Sequence, residues 1–214
     1  MNPGPTWHCP TNTGVGSDRV SLLHGEGGRG SRDFLRQQIA ARFPQINATF
    51  ADAVHLPNVP GRLAFTTDSF VVSPLFFPGG DIGKLAVIGT ANDLAVSGAK
   101  PRWLSLSLII EEGFSIKVLE QILDSIATTA EWVGVQVVTG DTKVVPVGCA
   151  DGLFINTSGI GECIPGFVSN ANTLVPGDAL LVSGPIAQHG LAVLATRERF
   201  QMHSPLVSDC GSLW

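Results

Sequence analysis

Apolar positions recur along this chain with two different spacings, and the spacings predict its elements. From Trp103 to Ile110 they alternate, with Leu104, Leu106, Leu108 and Ile110 on one side and Ser105 and Ser107 on the other. That pattern predicts a strand with one buried face. The small serines predict that the second face is covered as well. From Ile116 to Val133 the spacing becomes helical: Ile116, Leu119, Ile122, Leu123, Ile126, Ala130 and Val133 form one stripe. Ser115 is placed to cap the start of this helix and Gly134 to end it. Ile82 to Ser97 predicts a helix of another kind, rich in Ala and Gly and suited to lying close against a sheet, with Gly98 and Pro101 as stop signals. Arg62 to Val72, Val135 to Thr139 and Gly152 to Cys163 read as strands. Gly159 and Gly161 mark a bulge in the last of these. A short amphipathic stretch carrying Phe34, Leu35, Gln38 and Ile39 precedes them all. Strand, helix, strand, helix, strand, strand is an α+β domain with a ferredoxin-like order of elements.

The flanks read differently. Residues 1–20 are rich in Pro, Gly and Thr, lack the apolar stretch of a signal peptide, and are expected to be a disordered tail. The α+β domain is placed at 21–164. Pro165 to Pro176 is polar and turn-rich, which marks a boundary. A fresh strand is expected at Asp178–Ser183, followed by a helix around Leu191–Leu194. One strand and one helix cannot build a core. Residues 177–214 are therefore expected to begin a second domain that the chain does not complete.

Composition narrows the setting. The chain has 214 residues, 44% of them hydrophobic and 14% charged, and a mean hydropathy of +0.27, which is ample for a packed core. No apolar run approaches the ~20 residues that cross a bilayer, so a membrane partner is not expected. The net charge is −5 with no basic run, which excludes a cationic face for nucleic acid. A nucleotide is still compatible, because glycine backbone amides and carboxylate-held magnesium need no such face. Cys9, Cys149, Cys163 and Cys210 are scattered, so neither a zinc site nor a disulfide framework is indicated, and a cytoplasmic location is expected.

Three carboxylates sit where apolar neighbours make a charge costly: Asp68 within the first strand, Asp93 in the Ala-rich helix, and Asp141 after the strand that ends at Thr139. They are ordinary caps or surface carboxylates, or together they supply the hard oxygen ligands that Mg²⁺ takes. The Gly25–Gly30 loop is a plain flexible loop or one whose amides wrap phosphates. No Lys-Ser or Lys-Thr follows it, so it is not a Walker loop. Lys143 is an ion-pair partner of Asp141 or a charge that neutralises a phosphoryl group in transfer. His24 and His189 are surface residues or site residues on equal terms.

Several segments occur in order: Leu23-His24-Gly25-Glu26-Gly27-Gly28, Phe65-Thr66-Thr67-Asp68-Ser69, Pro74 to Gly80, Gly83-Lys84-Leu85-Ala86, Gly89 to Ala99 with its Asn92-Asp93, and Gly140-Asp141-Thr142-Lys143-Val144-Val145. That series resembles the HypE family of hydrogenase maturation factors, carbamoyl dehydratases of the PurM-like ATP-binding superfamily. Leu181 to Gly184, His189-Gly190 and Leu206 to Cys210 continue the likeness. The resemblance implies a PurM-like N-terminal domain whose sheet forms a dimeric barrel, followed by the start of a PurM-like C-terminal α/β domain. It implies ATP and Mg²⁺ as cofactors. Nucleotide and phosphate contacts are implied at His24, Gly25, Gly27, Gly28, Asp68, Asn92, Asp93, Asp141 and Thr142, with the metal on Asp68, Asp93 and Asp141. Lys143 is the implied catalytic residue. The implied reaction is ATP-dependent dehydration of a cysteine S-carboxamide to a thiocyanate, the source of the cyanide ligands of nickel–iron hydrogenases. The implied partners are a second copy of the chain, the carbamoyltransferase HypF and the HypC–HypD scaffold. The family's chains carry a full second domain and a terminal cysteine, whereas this one ends Gly211-Ser212-Leu213-Trp214, with Cys210 matching an internal position. A truncated HypE is therefore expected. The alternatives are a non-catalytic remnant that dimerises, or another enzyme of the superfamily such as a selenophosphate synthetase or thiamine-phosphate kinase.

Overall fold

A computed structural model describes residues 18–46, 53–167, 174–198 and 206–214. Arg29–Phe34 forms α1, which continues through π-helical turns over Leu35–Ala40. Then follow β1 (Leu63–Phe70), a small ribbon of β2 (Phe76–Phe77) and β3 (Gly80–Asp81), and α2 (Ile82–Val96). The remaining elements are β4 (Ala99–Glu111), α3 (Ile116–Val133), β5 (Gln136–Val145), β6 (Leu153–Cys163) and α4 (Gln188–Arg197). The long strands form one four-stranded sheet in the order β1-β6-β4-β5. β1 and β4 run antiparallel to β6, and β5 runs parallel to β4 through the α3 crossover.

The alternation in β4 works as its pattern predicts: Leu104, Leu106, Leu108 and Ile110 are buried against the helices. They meet the α3 stripe of Leu119, Ile122, Leu123 and Ile126, each with no exposed surface. Each such side chain contributes about 1.5–3 kcal/mol of burial. Gly134 ends α3 at φ 77°, a conformation that a residue with a Cβ adopts only with strain. α2 is buried on several sides, and glycine makes that possible: a Cβ at Gly83 would lie 2.6 Å from the Ile122 carbonyl oxygen. Asp81 starts α2 by accepting from the amides of Gly83 (2.7 Å) and Lys84 (3.1 Å), and from the Ser125 hydroxyl at 2.6 Å. One carboxylate thus caps α2 and ties it to α3.

Several expectations change. β5 runs on to Val145, so Asp141, Thr142 and Lys143 lie within a strand rather than after one. The bulge is in β4, between Pro101 and Trp103. Gly159 and Gly161 of β6 keep register with β1 and serve close packing, since a Cβ at Gly159 would lie 2.7 Å from Thr90 Cγ2. The second face of the sheet is open: Phe65 is 68% exposed and Ile109 41%. Residues 1–17 lie outside the described residues, but the end of the expected tail is ordered. Val20 is fully buried, and it exchanges backbone hydrogen bonds with Phe114 and Gly113. Asp178–Ser183 forms no strand, and Leu181 there is 94% exposed, so nothing described pairs with it. The expected helix is present as α4, with Asp209 accepting from its first amides at Gln188 and His189.

Candidate functional site

The predicted site residues fall into three groups. The first lies where the glycine loop meets β5. Leu22–His24 makes one 3₁₀ turn, and Gly25 follows so closely over β5 that a Cβ there would lie 2.9 Å from Val144. That approach, open only to glycine, sets the loop beside Thr142 and Lys143. Gly27 donates to the Ser31 hydroxyl at 2.9 Å, and Gly28 leads into α1. A side chain at either Gly27 or Gly28 would meet open space, so their amides border room for a ligand. His24 is spent on the loop itself. Its Nδ1 accepts from the Ser21 amide at 3.1 Å, and its ring stacks on Phe34 at 4.8 Å. Burial holds its pKa below the ordinary value, which favours the neutral ring. Asp141 accepts from the Thr142 amide at 2.9 Å and is exposed, as is Lys143.

The second group lies at the opposite edge of the sheet. Gly89 and Asp93, one turn apart on α2, face β1. Asp93 accepts from the Thr66 hydroxyl at 3.2 Å, and a Cβ at Gly89 would lie 3.7 Å from Asp68 Oδ2. Asp68 and Asp93 therefore share one seam and are both exposed. The third group is Asn92 alone, one position round the helix. Its carboxamide is bound to the chain at Gly211 and Leu213.

Asp141 does not join the other two aspartates within one chain. β1 and β5 are the two edges of the sheet, three strand spacings apart, which is roughly 14 Å at about 4.8 Å per spacing. Register also puts Asp141 opposite Ser107 on the open face, whereas Asp68 faces α2. Magnesium ligands must lie about 2.0–2.1 Å from the ion, so Asp68 and Asp141 of one copy cannot share it. Among the described residues, no group of three or more His, Cys, Asp or Glu is placed to hold a metal. The donors are the hard oxygens that magnesium prefers, but one copy of the chain divides them between two edges.

A polar row on the open face joins those edges, and the hydrophobic pattern did not single it out. Register aligns Ser69 of β1, Asn156 of β6, Ser107 of β4 and Asp141 of β5. Asn156 donates to the Ser69 hydroxyl at 2.9 Å and to the Asp68 carbonyl at 2.8 Å. The signal was an asparagine at an outward position of a strand whose other face is apolar or small.

Comparison with known proteins fits this geometry. Residues 51–163 match the family model described as AIR synthase related protein, N-terminal domain. The chain is 46% identical to carbamoyl dehydratase HypE of Rhodobacter capsulatus, over 92% of this chain and 58% of that protein. It is 45% identical to carbamoyl dehydratase HypE of Escherichia coli K12, over 92% and 60%. The fold superimposes on a crystal structure of hydrogenase maturation protein HypE in complex with ATP, with a TM-score of 0.84, 44% identity and coverage of 91% and 58%. A HypE–HypF complex gives a TM-score of 0.69 at 46% identity, covering 84% of this chain and 58% of that one. The chain thus spans less than two thirds of the length of the relatives it matches.

Proposed function

The chain belongs to the HypE family of carbamoyl dehydratases, and on that footing we propose that it is a nucleotide-binding, dimer-forming part of a hydrogenase maturation factor acting in the cytoplasm. The observation that carries the reading is the seat of Gly25 on Val144, which sets the glycine loop beside Thr142 and Lys143. The likeness to the ATP complex of HypE supports it.

The active unit in this reading is a pair of copies. Two four-stranded sheets closed into a barrel bury their open faces and bring the β5 edge of one copy beside the β1 edge of the other. The glycine loop, Asp141, Thr142 and Lys143 of one copy then stand beside Asp68 and Asp93 of the second. That gathers the three carboxylates which one chain keeps apart. Asp68, Asp93 and Asp141 would hold magnesium, which supplies charge neutralisation on the phosphates when bound. The amides of Gly27 and Gly28 bind phosphate oxygens, and Lys143 offsets the negative charge that builds up on the phosphoryl group in transfer.

The reaction is dehydration of a cysteine S-carboxamide. The amide oxygen displaces ADP from the γ-phosphorus, and the phosphorylated oxygen then leaves as phosphate while the nitrogen gives up its remaining protons, forming the S–C≡N group. An amide oxygen is a poor leaving group and a phosphorylated one a good one, so the residues' share is positioning and charge stabilisation. HypF and the HypC–HypD pair are the proposed partners, HypF on the strength of the HypE–HypF complex.

Calorimetric titration of the full chain with MgATP tests this. Saturable binding, weakened at least tenfold in Asp93→Asn, is expected. Absence of binding at millimolar nucleotide, or undiminished binding by Asp93→Asn, would overturn the reading.

A further inference from the structure

Asn92 holds an extended peptide by its main chain, and it does so in the manner of a sheet neighbour. Its Nδ2 donates to the Gly211 carbonyl at 3.0 Å, and its Oδ1 accepts from the Leu213 amide at 2.8 Å. In an extended chain, the carbonyl of one residue and the amide two residues on point to the same side. A parallel strand bonds its neighbour through that pair of groups. The side-chain carboxamide supplies the same donor and acceptor from the flank of α2. It reads no side chain, so any extended peptide satisfies it.

The groove continues past the clamp. Trp214 lines a cavity of about 320 Å³ formed with Cys163, Ile164 and Pro165 after β6 and with Pro60 and Gly61 before β1. The indole is 45% exposed, so it fills that cavity only in part. One carboxamide clamp and one apolar cavity one residue further on define a two-point site.

We propose that this groove is a binding site for extended peptides carrying an aromatic residue directly after the clamped amide, and that residues 211–214 are its displaceable occupant. A second polypeptide of that pattern gains entry by replacing them. The inference stands apart from the nucleotide reading, because neither the clamp nor the cavity includes a phosphate contact made through glycine amides or carboxylates.

The probe is acetyl-Gly-Ser-Leu-Trp, observed by saturation transfer on its indole protons with the full chain. Leu213→Pro removes the amide that Asn92 accepts and so weakens the resident segment. That variant is expected to bind the peptide at least fivefold more tightly than the unaltered chain, and adding Asn92→Ala to it removes the gain. In the unaltered chain, saturating peptide is expected to speed hydrogen exchange at the Leu213 amide at least threefold. Equal binding by both chains, a gain that survives Asn92→Ala, or exchange at Leu213 that does not respond to the peptide overturns the proposal. Should Leu213→Pro fail to fold, the exchange measurement on the unaltered chain decides it.

Discussion

The two faces of the four-stranded sheet are made by alternate residues of the same strands, yet they differ in almost every property. Toward the helices, Leu108 is 2% exposed and Ile155 1%. Toward the open side, their direct neighbours in sequence and register include Ile109 at 41% and Phe65 at 68%. The open face is not a polar solvent face either. It mixes Leu63, Phe65 and Ile109 with the Ser69–Asn156–Ser107–Asp141 row. A sheet in contact with water on one side normally carries charged and polar residues there. This one carries small hydroxyls and apolar groups, a composition suited to being covered by a like surface. The difference teaches that only half of the sheet is finished by this chain.

The largest effect expected from this contrast is on stability. Leu108→Ala opens a cavity between the sheet and its helices and is expected to cost about 2–5 kcal/mol, read by urea unfolding. Ile109→Ala, one residue along the same strand, is expected to leave unfolding of the isolated chain within about 0.5 kcal/mol, as surface substitutions do. Equal costs at the two positions would mean that the open face is packed by something in the free chain.

A smaller effect, on association alone, is expected from Phe65→Glu. It places a charge in the centre of the apolar part of the open face, where a second sheet would have to desolvate it. Sedimentation velocity should show the unaltered chain as a dimer, and at least a tenfold weaker association in Phe65→Glu with unchanged helix content. A monomeric unaltered chain would break the link between the open face and a partner copy, and would leave Asp68 and Asp141 on separate edges.

These contrasts also show how much was legible in the residues. α3 was legible to its last residue, because its stripe, Ser115 and Gly134 are all local signals. The covered face of β4 was legible for the same reason. The length of β5 was not. Gly140, Asp141 and Thr142 are turn-forming residues by propensity, and β4 overrides that preference by pairing with all three. Gly140 is there because a Cβ would lie 2.2 Å from the Leu106 carbonyl oxygen, a tertiary fact that no local pattern carries. The strand expected at Asp178–Ser183 failed in the opposite sense. Its sequence favours a strand, but no described neighbour pairs with it. For the candidate site, the ordered motifs pointed to Asp68, Asp93 and Asp141, and the division of these three between two edges appears only once strand order is known.

The smallest expected effect lies at the rim of the open face, where Glu111 ends the row of outward positions in β4. Its carboxylate accepts from the amides of Gly148 and Gly152, the latter at 2.9 Å, and so closes the loop between β5 and β6. The Gly148 hydrogen bond first, and then that of Gly152, hold its pKa below the ordinary glutamate value. A carboxylate whose pKa is depressed in the folded state stabilises that state above its unfolded pKa, about 4.3, and loses the contribution as pH falls through the folded value. The site is fully exposed, so the change should be confined to the loop and leave the global transition unmoved. Hydrogen exchange at the Gly148 and Gly152 amides, corrected for intrinsic rates, should therefore lose protection as pH falls below about 4. In Glu111→Gln that protection should be lower and independent of pH. Identical pH profiles in the two chains would show that the loop is held by its own turns, and that the rim of the open face, like its centre, awaits a contact from outside the chain.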